Sequence, residues 1–561
     1  MKAELGAIAS AIAVLWTVSA SAQTRPSEDE MFGGAAPAPA QPAPAQPAPA
    51  QASAPTNPAP AGDGSAPAAP AVPPAAATAA PPAATAANAA AQAAPSRDTA
   101  ILGSAETPMF SEEAAPDDPL KIGGQLYLRA QTTGAQGQVP GDWAFSSPSL
   151  LDVYLDARPN DRVRGFVLGR MTYDPTLPAS AGDVNSIGAV QPTGGSAGSQ
   201  SLSSLFTPAT RGPNVTLDQL WLRFDVGHTV FVTAGKQHVR WGTGHFWAPT
   251  DYLHLRRRNP LDVFDARAGT TMLKLHVPVE SKAWNFYLYA LTESANATPT
   301  LGSVAGAARA ELVLGPAELG LGAVAQRDLK PKFAADLSTG IGDIDFYGEL
   351  GLRSAAEIDR VNFDANAVVP PAPAAASYET PDQVAQARLA QVVDSYYPEF
   401  RASGYRPQVV GGASISHKYN DNDTFTVGAE YFYNGLGYAS PAAYPGLVLP
   451  HSTPLSDPAT FFYLGRHYAA LYVTFPAPYS LDNHTFTLST LGNLSDRSFI
   501  TRLDYSLIAL THMRFEAFVS GRYGTDEGEF RFGVKHLDLG GVAFSRAPAI
   551  VDLGIALRIA I

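Results

Sequence analysis

The sequence predicts an all-β fold, a transmembrane antiparallel β-barrel of about 18 strands preceded by a disordered Ala/Pro-rich segment. Three observations predict it. From Lys121 to Ile561 the chain is a succession of about 18 runs in which apolar and polar residues alternate, the period of a strand with two unlike faces. The runs are about 10–13 residues long, whereas soluble strands average ~5–6 and a tilted membrane strand needs ~9–11. Short connections (Pro159-Asn160, Val226-Gly227-His228, Gly315-Pro316, Ile341-Gly342, Leu510-Thr511) alternate with long ones near 174–213, 239–268, 354–405 and 435–464. A barrel inserted from one side has this asymmetry. A soluble sandwich on an Ala/Pro stalk is the alternative fold, since it alternates in the same way.

Composition narrows the function classes. Only 16% of the 561 residues are charged, against about a quarter in soluble domains. A formal net charge of −13 speaks against nucleic acid as a partner. The absence of Cys excludes disulfides, thiolate metal sites and a lipid-modified N-terminal Cys.

In chain order, residues 1–22 have the form of a secretory signal: Lys2, an apolar run from Leu5 to Val18, then Ser19-Ala20-Ser21-Ala22 as an Ala-x-Ala-like cleavage site. Residues 23–118 are expected to be a disordered periplasmic linker. From Gly33 to Ser96 they are almost entirely Ala and Pro, a composition that favours an extended spacer of ~3.1 Å per residue. Two roles stay open for it, a passive linker and a tether to the cell wall. Residues 119–561 form the barrel. An N-terminus on the short-turn side demands an even strand count. Counting Gly528–Val534 as a strand gives an odd number, so Tyr523–Arg546 is assigned to the last long loop.

The signal segment, the alternating strands with aromatic ends such as Tyr431-Phe432-Tyr433, and a terminal amphipathic strand resemble a bacterial outer-membrane β-barrel of the porin type. The likeness covers Leu120 to Ile561. Gly235-Lys236-Gln237, followed by Trp241-Gly242 and Asn259-Pro260, is similar to a motif of proteobacterial barrels. The chain ends in Ile561, where many porins end in Phe. The resemblance implies a Gram-negative outer membrane, lipopolysaccharide and outer-membrane lipids as surroundings, and a passive channel or export role. It fixes no substrate.

The polar faces then point into a lumen too wide for wall side chains to fill. They supply Arg129, Arg158, Arg223, Arg353, Lys418, Arg502, Arg514 and Arg558 against Asp152, Asp156, Asp225, Asp345, Glu349, Glu430, Asp504, Glu516 and Asp552. The signs nearly cancel, so selectivity has to come from a constriction. The densest aromatic and basic stretch, Gly235–Gly269, is the candidate: Arg240, Arg256, Arg257, Arg258 and Arg267 favour anions, and Trp241, Trp247 and Tyr252 offer faces for sugar rings. Three placements stay open: folded inward as a constriction, outward on the surface, or inward as a plug.

No catalytic residues, metal ligands or cofactor are expected. His245 and His254 flank Asp251 at no familiar metal spacing, Ser498 and His512 belong to different strands, and no phosphate-binding loop is present. The expected function is an outer-membrane channel passing small solutes, anionic or saccharide, through loop 239–268. The alternatives are a structural barrel with a plugged lumen tethered through the Ala/Pro arm, and an export barrel for a polysaccharide. A homo-oligomer is compatible with each.

Overall fold

A computed structural model describes residues 119–177, 213–254, 256–262, 264–265, 267–293, 303–371, 381–419, 424–453, 455, 460–539 and 542–560. The expected signal and Ala/Pro linker lie outside the described residues.

The wall opens with β1 (Leu120–Ala135), β2 (Ser149–Asn160), β3 (Val163–Tyr173), β4 (Asn214–Val226), β5 (Val230–Gln237) and β6 (Thr270–Val279). It continues through β7 (Trp284–Leu291), β8 (Ala305–Leu314), β9 (Ala317–Ala325), β10 (Lys332–Ile341), β11 (Ile344–Ser354) and β12 (Tyr405–Lys418). It ends with β13 (Thr424–Asn434), β14 (His467–Pro476), β15 (His484–Asn493), β16 (Ser498–Leu510), β17 (Met513–Gly524) and β18 (Ala549–Ala560). Each strand pairs antiparallel with the next, and β18 returns to β1 with Arg129 opposite Ala556 and Thr133 opposite Asp552. The sheet is an 18-strand closed barrel. Closure leaves no edge strand among the wall strands, so their ladders pair within the wall. The segment after Gly524 forms the small hairpin Val534–Leu539/Val542–Arg546 and not a wall strand, as parity required.

Alternation sets the two faces. Outward, an apolar belt runs round the wall through Leu128, Leu155, Leu220, Leu273, Leu288, Leu321, Leu337, Leu350, Leu471, Leu503 and Ile555, all exposed. Aromatics border it at both rims. Phe333, Tyr405, Tyr431 and Tyr523 stand on the long-loop side, and Phe286, Phe346 and Phe475 on the short-turn side. This is the surface pattern of a barrel in a bilayer. β4 contains one irregularity. Leu168 faces Gln219 but Gly169 faces Leu217, so a bulge turns both Asp218 and Gln219 away from solvent while Leu217 and Leu220 stay outside.

Inward, the wall charges pair with their neighbours. Arg170 meets Asp152 at 2.8 Å, Arg164 meets Asp156 at 2.9 Å, Arg309 meets Asp336 at 2.7 Å, Arg522 meets Asp552 at 2.6 Å and Arg558 meets Glu516 at 3.0 Å. Arg502 pairs with Asp504 on its own strand, and Arg158 also reaches Asp156. Asp225 sits at the short-turn rim with Arg162, 3.0 Å away.

Two apolar clusters lie on the inner face. One gathers Trp241, Leu253, Met272 and Tyr289; the other gathers Phe246, Trp247, Phe432, Tyr468, Phe462 and Phe530. Both contain residues of the 239–268 segment. The long-loop side also carries α1 (Pro381–Tyr396) and α2 (Tyr444–Val448).

Candidate functional site

The inner faces of β11 and β13 place two carboxylates, Glu349 and Glu430, where their strands approach the long-loop rim. Neither is paired with an arginine; both accept backbone N–H groups of the segment after β5. Glu349 accepts from the Gly244 amide, from the Thr250 amide at 3.3 Å and from the Thr250 hydroxyl at 2.7 Å. Glu430 accepts from three successive amides, those of His245 (2.7 Å), Phe246 (3.2 Å) and Trp247 (2.9 Å). The Tyr347 hydroxyl donates to the same carboxylate at 2.9 Å. It reaches across β12 because Gly412 stands between, where a Cβ would strike its ring. A turn that presents consecutive N–H groups is a natural anion cradle, and here the anion is a side chain of the wall.

The local sequence makes this turn possible. Gly242 has φ +99°, and a Cβ there would meet the Glu349 carboxylate. Trp247 is then fixed by stacking on Phe432 at 5.6 Å and by donating its indole N–H to the Phe462 carbonyl at 3.0 Å.

Beyond the turn the segment crosses the barrel. Tyr463 donates its hydroxyl to the Arg258 carbonyl at 3.2 Å, and the Arg257 guanidinium lies over its ring at 4.8 Å. Phe264 packs edge-on against Tyr127 of β1 at 5.2 Å and lies under Arg558 of β18. Arg267 then closes the return, donating to Asp251 at 2.9 Å and to both oxygens of Asp265. Burial alone would raise the Asp251 carboxyl, but His254 and Arg267 bring it down to about 2. Asp262 goes the other way: burial lifts it to about 7, although Arg129 and Arg502 pull against this. A small polar cavity between the segment and β1, β16, β17 and β18 is lined by Arg129, Asn259, Asp262, Arg502, Arg522 and Asp552.

The described residues of loop 239–268 therefore pack on the inner face of the wall, and for them the outward placement that the sequence left open does not occur. Its predicted side chains divide. Arg256 is exposed; Arg240, Arg257, Arg258 and Tyr252 are half-buried. Trp241 and Trp247 are 1% and 0% exposed, so they hold the loop and offer no face to a sugar ring, which corrects that expectation. Arg267 is likewise buried and engaged by two carboxylates. Of the predicted lumenal set, Arg129, Asp156, Glu349, Glu430, Arg502, Glu516 and Arg558 are buried in the interior, and Arg223, Arg353, Asp504 and Arg514 are partly covered. Arg129 and Arg502 both lie over the Phe518 ring, at 4.9 and 4.0 Å.

Other interior residues went unread in the sequence. Arg164 and Arg170 alternate with the outward Val167 and Met171, a signal that was present. The cluster of Asn493, Asp496 and Glu529, which takes hydrogen bonds from Tyr444 and Tyr468 and holds the 525–533 segment inside, gave none, because two of its members are loop residues. Ser498 opens β16 and His512 lies in the turn beyond its other end, not on a second strand, and Ser498 donates to Asp496 at 2.6 Å.

No family model matches the sequence, and no curated relative matches it. Among solved structures, the chain is similar to OccAB1 of Acinetobacter baumannii, with 11% identity over 81% of this chain and 99% of that one and a TM-score of 0.45. It is also similar to OccK11 (OpdR) of Pseudomonas aeruginosa, with 9% identity over 79% of this chain and 96% of that one and a TM-score of 0.41. A triple mutant of the Rhodopseudomonas blastica porin shares 10% identity over 79% and 100%, with a TM-score of 0.34. These likenesses are distant. By its own closure, face alternation and unequal rims, the chain is a closed antiparallel β-barrel of 18 strands with the outer surface of a membrane barrel.

Proposed function

We propose that this protein is an outer-membrane channel through which small solutes diffuse, with the inward 239–268 segment as its constriction. The observation that carries this reading is the fastening of that segment to Glu349 and Glu430, which fixes an arginine-rich strip across the lumen. A flexible loop with the same residues would discriminate poorly; one whose six donors engage two carboxylates keeps its charges in place. Arg256, Arg257 and Arg258 favour anionic solutes, carboxylates or acidic saccharides among them. The wall acids Asp152, Asp156, Asp336, Asp552 and Glu516 do little to offset them, being paired with arginines of the wall. The N-terminal segment serves as the export signal and the Ala/Pro stretch as a periplasmic linker.

A second reading has an observation of its own. The inner apolar clusters formed by the 239–268, 435–464 and 525–533 segments favour a closed lumen, as a plugged barrel tethered through its Ala/Pro arm would have. Conductance separates the two. Purified protein in a planar bilayer under a KCl gradient is expected to give discrete steps with an anion-leaning reversal potential. That leaning is expected to fall in the combined Arg256→Ala, Arg257→Ala, Arg258→Ala variant. A folded barrel that gives no steps refutes the channel, and an unchanged potential in the variant refutes the role given to these arginines.

A further inference from the structure

The segments 355–404 and 435–466 share a small core of Val361, Val392, Val393, Tyr397, Ala443 and Leu449 on the long-loop side. At its edge Asp394 of α1, Glu399 of the short strand Glu399–Arg401 and His451 come together, although 57 residues separate Asp394 from His451 in sequence. The imidazole is fixed at both nitrogens. Nε2 lies 2.6 Å from the Gly446 carbonyl oxygen, which can only accept, so Nε2 carries the hydrogen. In the neutral ring this leaves the Nδ1 lone pair aimed at Asp394 Oδ1, 2.8 Å away, and at Glu399 Oε1, 3.8 Å away. Three electron-pair donors thus converge, two of them on anionic groups, and the arrangement calls for a cation between them.

We propose that Asp394, Glu399 and His451 bind a divalent cation of the zinc class, which ties the two long segments together. One atom from each residue lies within 4.8 Å of the others. Ligands at ~2.0–2.2 Å from Zn²⁺ in a tetrahedron are about 3.3–3.6 Å apart, so small side-chain adjustments close the set. One nitrogen and two carboxylate oxygens suit Zn²⁺ better than Ca²⁺, which prefers six to eight oxygens. The Nε2–H bond to a backbone carbonyl is the usual outer-shell support of a metal-binding histidine. The Ser452 amide orients Asp394 in the same way, at 3.2 Å from its second oxygen. The His451 side chain is 2% exposed but those of Asp394 and Glu399 are 35% and 33% exposed, so the metal enters from solvent and keeps water on its open positions.

The test is Zn²⁺ titration of untagged, detergent-extracted full-length protein by calorimetry, with amide exchange of residues 384–401 and 444–453 as a second readout. Micromolar or tighter binding is expected, with slowed exchange in both segments and no response to Ca²⁺. Glu399→Gln preserves the contact between His451 and Asp394 and is expected to weaken Zn²⁺ binding at least tenfold. Equal binding by Glu399→Gln, or exchange indifferent to Zn²⁺ in the unaltered protein, overturns the proposal and leaves His451 hydrogen-bonded to Asp394 alone.

Discussion

Replacing Glu430 by Gln tests the fastening of the inward loop directly. The carboxylate takes the His245 amide and the Tyr347 hydroxyl on one oxygen and the Trp247 amide on the other. A Gln side chain has one accepting oxygen, and its NH₂ must face donors wherever it is turned. If the oxygen stays with Trp247, the His245 N–H and Tyr347 O–H lose their acceptor in a buried place. Two such losses together cost about 2–6 kcal/mol. The cost falls on docking of the loop, because Glu430 contributes nothing else to the ladder of β13. At ~1.4 kcal/mol per tenfold, the undocked population rises roughly 30-fold at the low end and about 20,000-fold at the high end. Amide exchange of residues 244–250 in detergent reads this population, and heat-modified gel mobility shows that the barrel remains folded. Exchange within threefold of the unaltered protein, in an intact barrel, would refute the claim that this carboxylate holds the loop.

Three further outcomes are expected. Leu288 stands outward in the middle of β7 at 57% exposure, so Leu288→Arg should cost ~2–4 kcal/mol of folding into vesicles, whereas Leu510→Arg at the short-turn rim should cost ~0–1. Equal effects, measured by urea titration, would contradict the membrane placement of the belt. Asp251 lies at about 2 against ~3.9 in the unfolded chain, so its contribution to docking is present above about pH 4 and lost as the pH falls through 2. Tryptophan fluorescence from Trp241 and Trp247 should follow that window, and Asp251→Asn should remove it. Glu529 behaves oppositely: burial, with Asp496 beside it, lifts it to about 8, so docking of the 525–533 segment should weaken as the pH rises from about 4 through 8. Exchange in this segment that is flat between pH 5 and 9 would contradict the assignment.

What the sequence determined by itself is the wall. Side-chain direction in a strand has a period of two and depends only on neighbours along the chain. The outward Leu126 and Leu128 and the inward Gln125 and Arg129 were therefore legible before any pairing was known. The strand count followed from the same alternation together with parity, down to the exclusion of Gly528–Val534. The bulge at Asp218 and Gln219 was not legible, since a two-against-one register exists only relative to β3. Only the tertiary structure decided where the 239–268 segment lies. Its partners Glu349 and Glu430 stand 105 and about 185 residues further along the chain, and nothing local distinguishes them from acids that pair with arginine. The same distance hid the roles of Trp241 and Trp247. An aromatic ring has one composition whether it is offered to a solute or buried against Phe432, and closure of the barrel brings the wall to it.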